Sequence, residues 1–394
     1  MIVGLCFDYK RNSKISGIQA QWLLARKSLP ECFWNTCFLG VLVDNRGMKI
    51  KSNFFVLLLA VCTVTACLTV VSYGQSAKGY HLLNRIEVGG EGSWDYLIAD
   101  ADAHRLYVSH ATKVVVIDTA TDKVVGEITG LNGVHGVALV DKLGKGFISN
   151  GRDSSVTVFD LKTLKITATV KVDKNPDCII YDPASERIFA FNRGASNVTA
   201  INASDNSVAG TIALGGAPEF ATSDGKGMVF VNLDAKSEVV PIDAKKLTAG
   251  THWPVAPGED PSGMAIDLKT HRLFIVCGNK KMVIMDASTG KVVGDVVTGD
   301  RTDAAGFDPD WKNAFSSNGE GTLTVVHADG KDKFSVVENV KTEPGARTMA
   351  LDTKTHKVYL AVAKYGEKPA ATTANPNPRP PIVPGSFAII VYGK

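Results

Sequence analysis

The hairpin that identifies the architecture is Ile117-Asp118-Thr119-Ala120-Thr121-Asp122-Lys123-Val124-Val125-Gly126-Glu127-Ile128. Two runs rich in β-branched residues flank a short polar turn, which is the pattern of two antiparallel strands. A near copy begins 168 residues later, at Met285, and ends at Val296. Looser versions occupy residues 159–170 and 201–212. Recurrence of one unit along the chain indicates a repeat protein.

Seven such units fill the chain from residue 78 onward. Each carries an aspartate after a short apolar run, at spacings of 41, 41, 42, 43, 41 and 44 residues: Asp100, Asp141, Asp182, Asp224, Asp267, Asp308 and Asp352. Each unit contains about four short β-rich runs, and a sheet of roughly 42 residues cannot bury its own faces. We therefore predict an all-β fold, a seven-bladed β-propeller of four-stranded antiparallel blades. A β-sandwich or two smaller domains is the alternative.

The two ends of the repeat region are complementary. The last unit supplies only three runs, at residues 348–351, 358–363 and 387–392. An unassigned run, Leu82 to Val88, precedes the first unit. We predict that this N-terminal run is the outer strand of the last blade, because closing the ring in this way removes an exposed sheet edge.

These repeats resemble those of the YVTN or YncE-like β-propellers, from about residue 82 to residue 394. The hairpins carry the resemblance, together with the prolines at the start of blades, Pro176, Pro218 and Pro261. The resemblance implies an exported, seven-bladed binding protein without a shared catalytic residue, and some members of the family are described as DNA-binding. The sixth unit (residues 326–329) and the third strand of the seventh depart from the pattern.

The amino-terminal region reads as separate from the fold. Residues 48–77 combine a basic lead, an almost continuously apolar stretch at 54–73 and a small-residue end, which is the pattern of a signal peptide. The alternatives are an uncleaved membrane anchor and lipidation at Cys67. Residues 1–47 precede this signal, and we interpret them as an unstructured start-site extension with Met48 as the true start. The prediction is a bacterial periplasmic or secreted protein, touching membrane only through residues 48–77 if they are uncleaved.

Charge and cysteine content limit the possible partners. The chain has 43 Lys and Arg against 40 Asp and Glu, but residues 78–394 hold 35 against 37. This slightly acidic body argues against a nucleic-acid-binding footprint that covers the whole surface.

The two cysteines of residues 78–394, Cys178 and Cys277, lie in apolar runs of separate repeats, so we expect buried free thiols. We expect a monomer.

The starts of the innermost strands predict a ring at one end of the channel. Counting back five residues from each repeat aspartate gives Asp95, Gly136, Asp177, Glu219, Ser262, Asp303 and Arg347, with Trp94 and His135 one residue earlier. Four carboxylates around a narrow mouth raise one another's pKa or hold a cation. The simpler alternative is that each carboxylate binds a neighbouring blade's amides or Arg347. No metal or cofactor is assigned.

Loops on the same face carry basic residues and one insertion. The expected basic rim consists of His110, Arg152, Arg193, Lys280, Lys281 and Lys364. Such a rim suits an anionic or zwitterionic ligand, or a nucleic-acid strand, although stacking aromatics are scarce. The insertion at residues 364–386 holds six of the 16 prolines. It predicts a lid across the mouth or a docking strap for a partner, with a solvated loop as the alternative.

Three functions remain open. The first is an exported, non-enzymatic propeller that binds an unknown ligand or protein partner on its loop face. The second is a metal-assisted enzyme of the lactonase or lyase type, in which two or three of the ring carboxylates Asp95, Asp177, Glu219 and Asp303 hold a divalent cation that polarises a carbonyl. The third is DNA or a redox partner bound at the rim, and the charge balance disfavours DNA. Covalent-haem, nucleophile-elbow and phosphate-loop motifs do not occur in the sequence.

Overall fold

The computed structural model describes residues 79–373 and 375–394. The extension predicted at residues 1–47 and the signal peptide predicted at residues 48–77 lie outside the described residues. Every described strand belongs to one of seven antiparallel sheets. Each innermost strand contacts that of the next blade, and the innermost strand of the last blade contacts that of the first, which closes a ring. The predicted seven-bladed propeller is confirmed.

The strands of each blade run outward from the channel in chain order. Blades one to three comprise β2 (Trp94–Asp100), β3 (Arg105–His110), β4 (Lys113–Asp118) and β5 (Lys123–Ile128); β6 (Val134–Val140), β7 (Lys145–Asn150), β8 (Ser155–Asp160) and β9 (Ile166–Lys171); and β10 (Pro176–Asp182), β11 (Arg187–Asn192), β12 (Asn197–Asn202) and β13 (Val208–Ala213). In blade four the outermost strand is split into two short pieces that both pair with the third strand. That blade comprises β14 (Ala221–Ser223), β15 (Met228–Leu233), β16 (Glu238–Asp243), β17 (Thr248–Ala249) and β18 (Trp253–Pro254).

The remaining blades follow the same order, except that the last is completed by the first strand of the chain. They comprise β19 (Pro261–Asp267), β20 (Arg272–Cys277), β21 (Lys281–Asp286) and β22 (Val292–Val297); β23 (Thr302–Asp308), β24 (Asn313–Asn318), β25 (Thr322–Gly330) and β26 (Lys333–Lys341); and β27 (Met349–Asp352), β28 (Lys357–Val362), β29 (Ala388–Gly393) and β1 (His81–Glu87). Because β1 pairs with β29 along almost its whole length, the predicted closure by the N-terminal run is confirmed.

The repeated aspartates are explained by turn chemistry. Asp118 ends the third strand of blade one, and its Oδ1 atom accepts hydrogen bonds from the backbone nitrogens of Ala120 and Thr121, at 3.0 and 2.7 Å. Asp182 ends an innermost strand, and its carboxylate accepts one from the backbone nitrogen of Ser185 at 2.8 Å. The carboxylates of six of the seven repeated aspartates accept such bonds from turn backbone nitrogens: Asp100, Asp182, Asp224, Asp267, Asp308 and Asp352.

The hydrophobic core lies between blades rather than in one central mass. The second and third strands of the blades are almost wholly buried, whereas the outermost strands, such as β5 and β9, are largely exposed. Cys178 and Cys277 are both buried and free, which confirms the expectation of unpaired thiols. In the described part of the chain, no helix has the length and apolar character needed to cross a membrane.

Candidate functional site

A β-bulge places the ring residues at the channel mouth. The pairing of the innermost strand with its neighbour shifts register between Trp94 and Leu97, and at the equivalent positions of blades two, three, five and six. A bulge leaves a residue unpaired and redirects its side chain. Asp95, Asp177 and Asp303 lie within such bulges, so their carboxylates can leave the plane of the blade and approach residues of adjacent blades.

Polar side chains of the second strands hold these bulges in place. In each case a hydroxyl or amide of one blade donates to the backbone carbonyl of a ring residue, or its neighbour, in the next blade: Ser109 to His135, Ser149 to Asp177, Asn232 to Ser262, and Ser317 to Arg347. The Ser149 bond measures 2.5 Å and the Asn232 bond 2.6 Å. These inter-blade bonds fix the backbone from which the mouth is built.

Ser149→Ala is expected to lower the free energy of unfolding by about 2 kcal/mol, because the change leaves buried partners without a hydrogen bond. The fully buried Ser149 hydroxyl donates to the Asp177 carbonyl and accepts from the Gly136 nitrogen at 2.8 Å. Denaturant unfolding measures the change. Ser204→Ala, at an exposed hydroxyl, is the control and should stay within about 0.5 kcal/mol of wild type. If the two variants were equally stable, the inter-blade hydrogen bonds of Ser149 would not contribute to the free energy of unfolding.

The first feature of the mouth is the histidine cluster, formed by Asp95, His135 and Asp177. The Nδ1 atom of His135 donates to Oδ2 of Asp95 at 2.6 Å and lies 3.5 Å from Oδ1 of Asp177. The candidate ligand atoms of all three residues lie within 4.8 Å of one another. Three consecutive blades thus direct two carboxylates at one imidazole nitrogen.

Burial and mutual repulsion perturb the titration of this cluster. Burial raises the pKa of Asp177 to about 6, the positive charge of His135 opposes that rise, and the negative charge of Asp95 adds to it. Burial lowers the pKa of His135, but the hydrogen bond to Asp95 and the charge of Asp177 more than offset it, so that pKa is raised. The cluster therefore retains a proton that an isolated carboxylate would release.

The second feature is the Arg193 cluster, formed by Arg193, Glu219 and Asp234. Arg193 begins a short 3₁₀ turn after β11, and its guanidinium donates to the carboxylates of Glu219 and of Asp234, the latter at 2.5 Å. Burial raises the pKa of Glu219 to about 8, and the charge of Asp177 adds to this despite the opposing effect of Arg193. One guanidinium shared by two carboxylates does not neutralise both.

The third feature is the Arg347 pair, in which Nη1 of Arg347 donates to Oδ2 of Asp303 at 2.7 Å. Burial raises the pKa of Asp303 to about 6, although Arg347 opposes the rise. The single carboxylate ring considered from the sequence is therefore divided into three groups with separate cationic partners. Arg347 neutralises only Asp303, so a cation held jointly by all four ring carboxylates does not fit this arrangement.

Two aromatic side chains lie next to ring residues in the sequence and pack on each other. The rings of Tyr96 and Phe220 have centroids 5.5 Å apart. The Tyr96 hydroxyl donates to the backbone oxygen of Glu219 at 3.2 Å, and burial holds its pKa well above the ordinary value. Tyr96 and Asp234 were not among the predicted site residues. The available signal for Tyr96 was its position next to Asp95, and for Asp234 its position at the start of a loop on the same face.

His110 does not lie on the rim, contrary to the expectation. It is only 1% exposed and stacks on Phe387, with ring centroids 4.3 Å apart. The reason is that His110 lies at the end of β3, where Phe387, the residue between the insertion and β29, covers it. Trp94, half-buried, packs on the same Phe387 ring at 5.1 Å and on Tyr365 at 6.5 Å. Trp94 and His110 therefore support the base of the insertion.

Three of the six expected rim residues are paired with acidic neighbours. Lys280 pairs with Asp300 at 3.2 Å, and Lys281 pairs with Asp295 at 2.5 Å. Arg193 is engaged as described above. Arg152 and Lys364 are exposed, and neither makes an ion pair with any residue in the described ranges. The structure therefore offers an anion few free cationic side chains.

The insertion joins β28 to β29 through a narrow base. Tyr365 pairs with Ile382, and the backbone nitrogen of Gly366 donates to the Pro381 oxygen at 2.8 Å. Within the described residues, the hydrogen bonds of the segment 367–380 remain inside the insertion. Its role as a lid or a strap stays a prediction.

Neither a family model nor a curated protein sequence matches this chain. Solved structures do match. "Crystal structure of RRP9 WD40 repeats" matches with a TM-score of 0.66 and 8% identity, covering 80% of this chain and 98% of that one. "Structure of U3-55K" gives 0.65 and 8%, over 80% and 99%. "Kuenenia stuttgartiensis Hydrazine Synthase" gives 0.61 and 16%, over 73% and 95%. These similarities show the propeller fold alone.

Proposed function

We propose that this chain is an exported, non-enzymatic propeller of the YVTN or YncE-like type that binds a positively charged group at its channel mouth. That group belongs to a small ligand or to a protein partner docked on the loop face. Export to the bacterial periplasm or medium is supported by the signal-like pattern of residues 48–77. The repeat hairpins support the family assignment.

The charge balance of the mouth carries the proposal. Five carboxylates converge there, from Asp95, Asp177, Glu219, Asp234 and Asp303, against the cationic side chains of Arg193, Arg347 and His135. Burial is the main cause of the raised pKa values of Asp177, Glu219 and Asp303, and the negative charges of neighbouring carboxylates add to it. A cationic group entering the mouth would relieve this repulsion, whereas an anion would increase it.

Small amines test the proposal directly. We expect putrescine or spermidine, added to the EDTA-treated protein, to raise the melting temperature saturably, by an amount equivalent to about 2.7 kcal/mol at a hundredfold excess over Kd. Asp303→Asn should reduce the shift. Glu186→Gln, which removes an exposed carboxylate paired with Lys142 in a turn between first and second strands, is the matched control and should retain it. The absence of a shift with either amine, or an equal shift in Asp303→Asn, would contradict the proposal.

The metal-assisted enzyme is the second candidate. The convergence of Asp95, His135 and Asp177 favours it, because an imidazole and two carboxylates can hold a Lewis-acidic cation with positions left open for substrate. DNA binding requires free basic side chains along a stripe, and the pairing of Arg193, Lys280 and Lys281 with carboxylates argues against it.

A further inference from the structure

The histidine cluster differs from the other histidine–carboxylate pairs of the molecule. His252 bonds Glu238 at 2.7 Å, and His356 bonds Asp308 at 2.6 Å, each with a single carboxylate. These pairs are complete, since one ring proton serves one acceptor. In residues 79–373 and 375–394, only Asp95, His135 and Asp177 form a group of three metal-ligating side chains. This group has one donor for two carboxylates.

The second carboxylate of the cluster has no cationic partner of its own. Asp177 is 8% exposed, and the nearest cationic nitrogen, Nδ1 of His135, lies 3.5 Å from its Oδ1 and is already bonded to Asp95. The Tyr96 hydroxyl is shared between the Asp177 carboxylate and the backbone oxygen of Glu219, which lies 3.2 Å from it. A buried carboxylate that is held by one shared, neutral hydroxyl is costly, and a cation beside it would lower that cost.

We propose that Asp95, His135 and Asp177 bind a divalent first-row transition-metal ion, with His135 contributing Nδ1. This metal site rests on the proposed function, in which the channel mouth binds a positively charged group, and it names one cation that binds there. An imidazole with two carboxylates suits Zn²⁺ and Mn²⁺, whereas Ca²⁺ and Mg²⁺ prefer oxygen ligands alone.

The distances fit a metal replacing the ring proton. With metal–ligand bonds of about 2.0–2.2 Å, ligands at tetrahedral positions lie about 3.3–3.6 Å apart. The separation of 3.5 Å between Nδ1 of His135 and Oδ1 of Asp177 already meets this. The separation of 2.6 Å to Asp95 is that of a hydrogen bond and would widen as the proton leaves. Three protein ligands leave at least one coordination position open toward the channel.

The far side of the imidazole ring is held by close packing. A β-carbon at Gly151 would lie 2.6 Å from Nε2 of His135 and 2.5 Å from Oδ1 of Asn175. Only glycine leaves room for the ring in its present position. Gly151→Ala would therefore displace the ligand nitrogen without removing any ligand, and it provides a test of positioning.

Calorimetric titration of the EDTA-treated full-length protein with Zn²⁺ and Mn²⁺ tests the proposal. We expect one equivalent to bind saturably, and Asp177→Asn to weaken binding at least tenfold. Gly151→Ala should weaken it to a smaller extent. Glu238→Gln, which alters a carboxylate–histidine pair without a third ligand, is the matched control and should bind like wild type.

Two readouts keep the proposal falsifiable if Asp177→Asn folds poorly. Co²⁺ bound to wild type should show visible d–d absorption of a site with nitrogen and oxygen ligands, and Zn²⁺ should raise the melting temperature more than Mg²⁺. Failure of Zn²⁺, Mn²⁺ and Co²⁺ to bind stoichiometrically, or unchanged binding in Asp177→Asn, overturns the metal site. The amine assay uses EDTA-treated, metal-free protein. Its outcome therefore tests the proposed binding of a cationic group independently of the metal site.

Discussion

A chain that begins at Gly89, and so lacks β1, is expected to be largely unfolded or aggregated under conditions in which a chain that begins at Ser76 is a folded monomer. The loss should reach at least about 5 kcal/mol, comparable to the whole stability of a typical domain. Circular dichroism and size-exclusion chromatography of the two chains measure it.

The contacts of β1 explain the size of this effect. It pairs with β29, whose residues are all buried, so its removal exposes a long apolar strand edge. The shortened chain also lacks two buried side chains, Tyr80 and Ile86, and the Tyr80 ring packs edge-on against Phe315 with centroids 5.3 Å apart. Arg85 adds an ion pair to Glu343 at 2.6 Å. Apolar burial of two such side chains contributes about 2–3 kcal/mol each before the hydrogen bonds are counted.

Addition of the missing strand provides the complementary test. A synthetic peptide of residues 79–88 should restore solubility and β-sheet signal to the shortened chain, because strand addition reforms the same hydrogen bonds. A peptide with Ile86→Asp should fail. If the chain beginning at Gly89 instead has the melting temperature and monomeric state of the longer chain, ring closure by β1 is unimportant for stability.

The second large effect concerns alkaline stability. Between pH 4.5, the ordinary pKa of a glutamate, and the raised pKa of Glu219 at about 8, the folded protein binds more protons at this position than the unfolded chain. The free energy of unfolding therefore falls as the pH rises across that window. We expect a fall of about 2 kcal/mol from this group, less than the full shift implies, because Arg193 and residual solvent contact stabilise the ionised form.

Glu219→Gln should remove this fall, since an amide does not titrate. The variant should match wild type near pH 4.5 and exceed its free energy of unfolding by about 2 kcal/mol at pH 9. Urea unfolding across pH 4.5–9 in EDTA measures both curves, with Glu367→Gln, at an exposed carboxylate of the insertion, as the control. A variant with the same pH slope as wild type would assign the slope to other groups.

The fold was predictable from sequence because its determinants are local. A turn aspartate such as Asp118 satisfies backbone donors within three residues, and the apolar runs on either side have strand periodicity. Repetition of that unit at nearly constant spacing dictates the ring, since isolated sheets of this size cannot bury their faces. Even the closing strand was visible, as an unassigned run before the first unit and a missing one in the last.

The sequence identified the mouth residues but not their partners. The direction of a side chain in a β-bulge cannot be derived from strand alternation. In blade two the bulge places the side chain of His135 between Asp95 and Asp177, although the ring position counted from the sequence is Gly136. Ion pairs between blades, such as Arg193 with Glu219, depend on distances across a ring that no local pattern encodes.

His110 is a second example of a residue whose position was predictable from the sequence but whose surroundings were not. Its sequence position at the end of a strand on the loop face suggested exposure, yet Phe387, distant in the chain, covers it. The sequence thus established seven blades and their closure, because periodicity and turn chemistry act within each repeat. Which carboxylate meets which cation, and which polar side chain is buried, was set by contacts between blades, because packing brings together residues that are far apart in the chain.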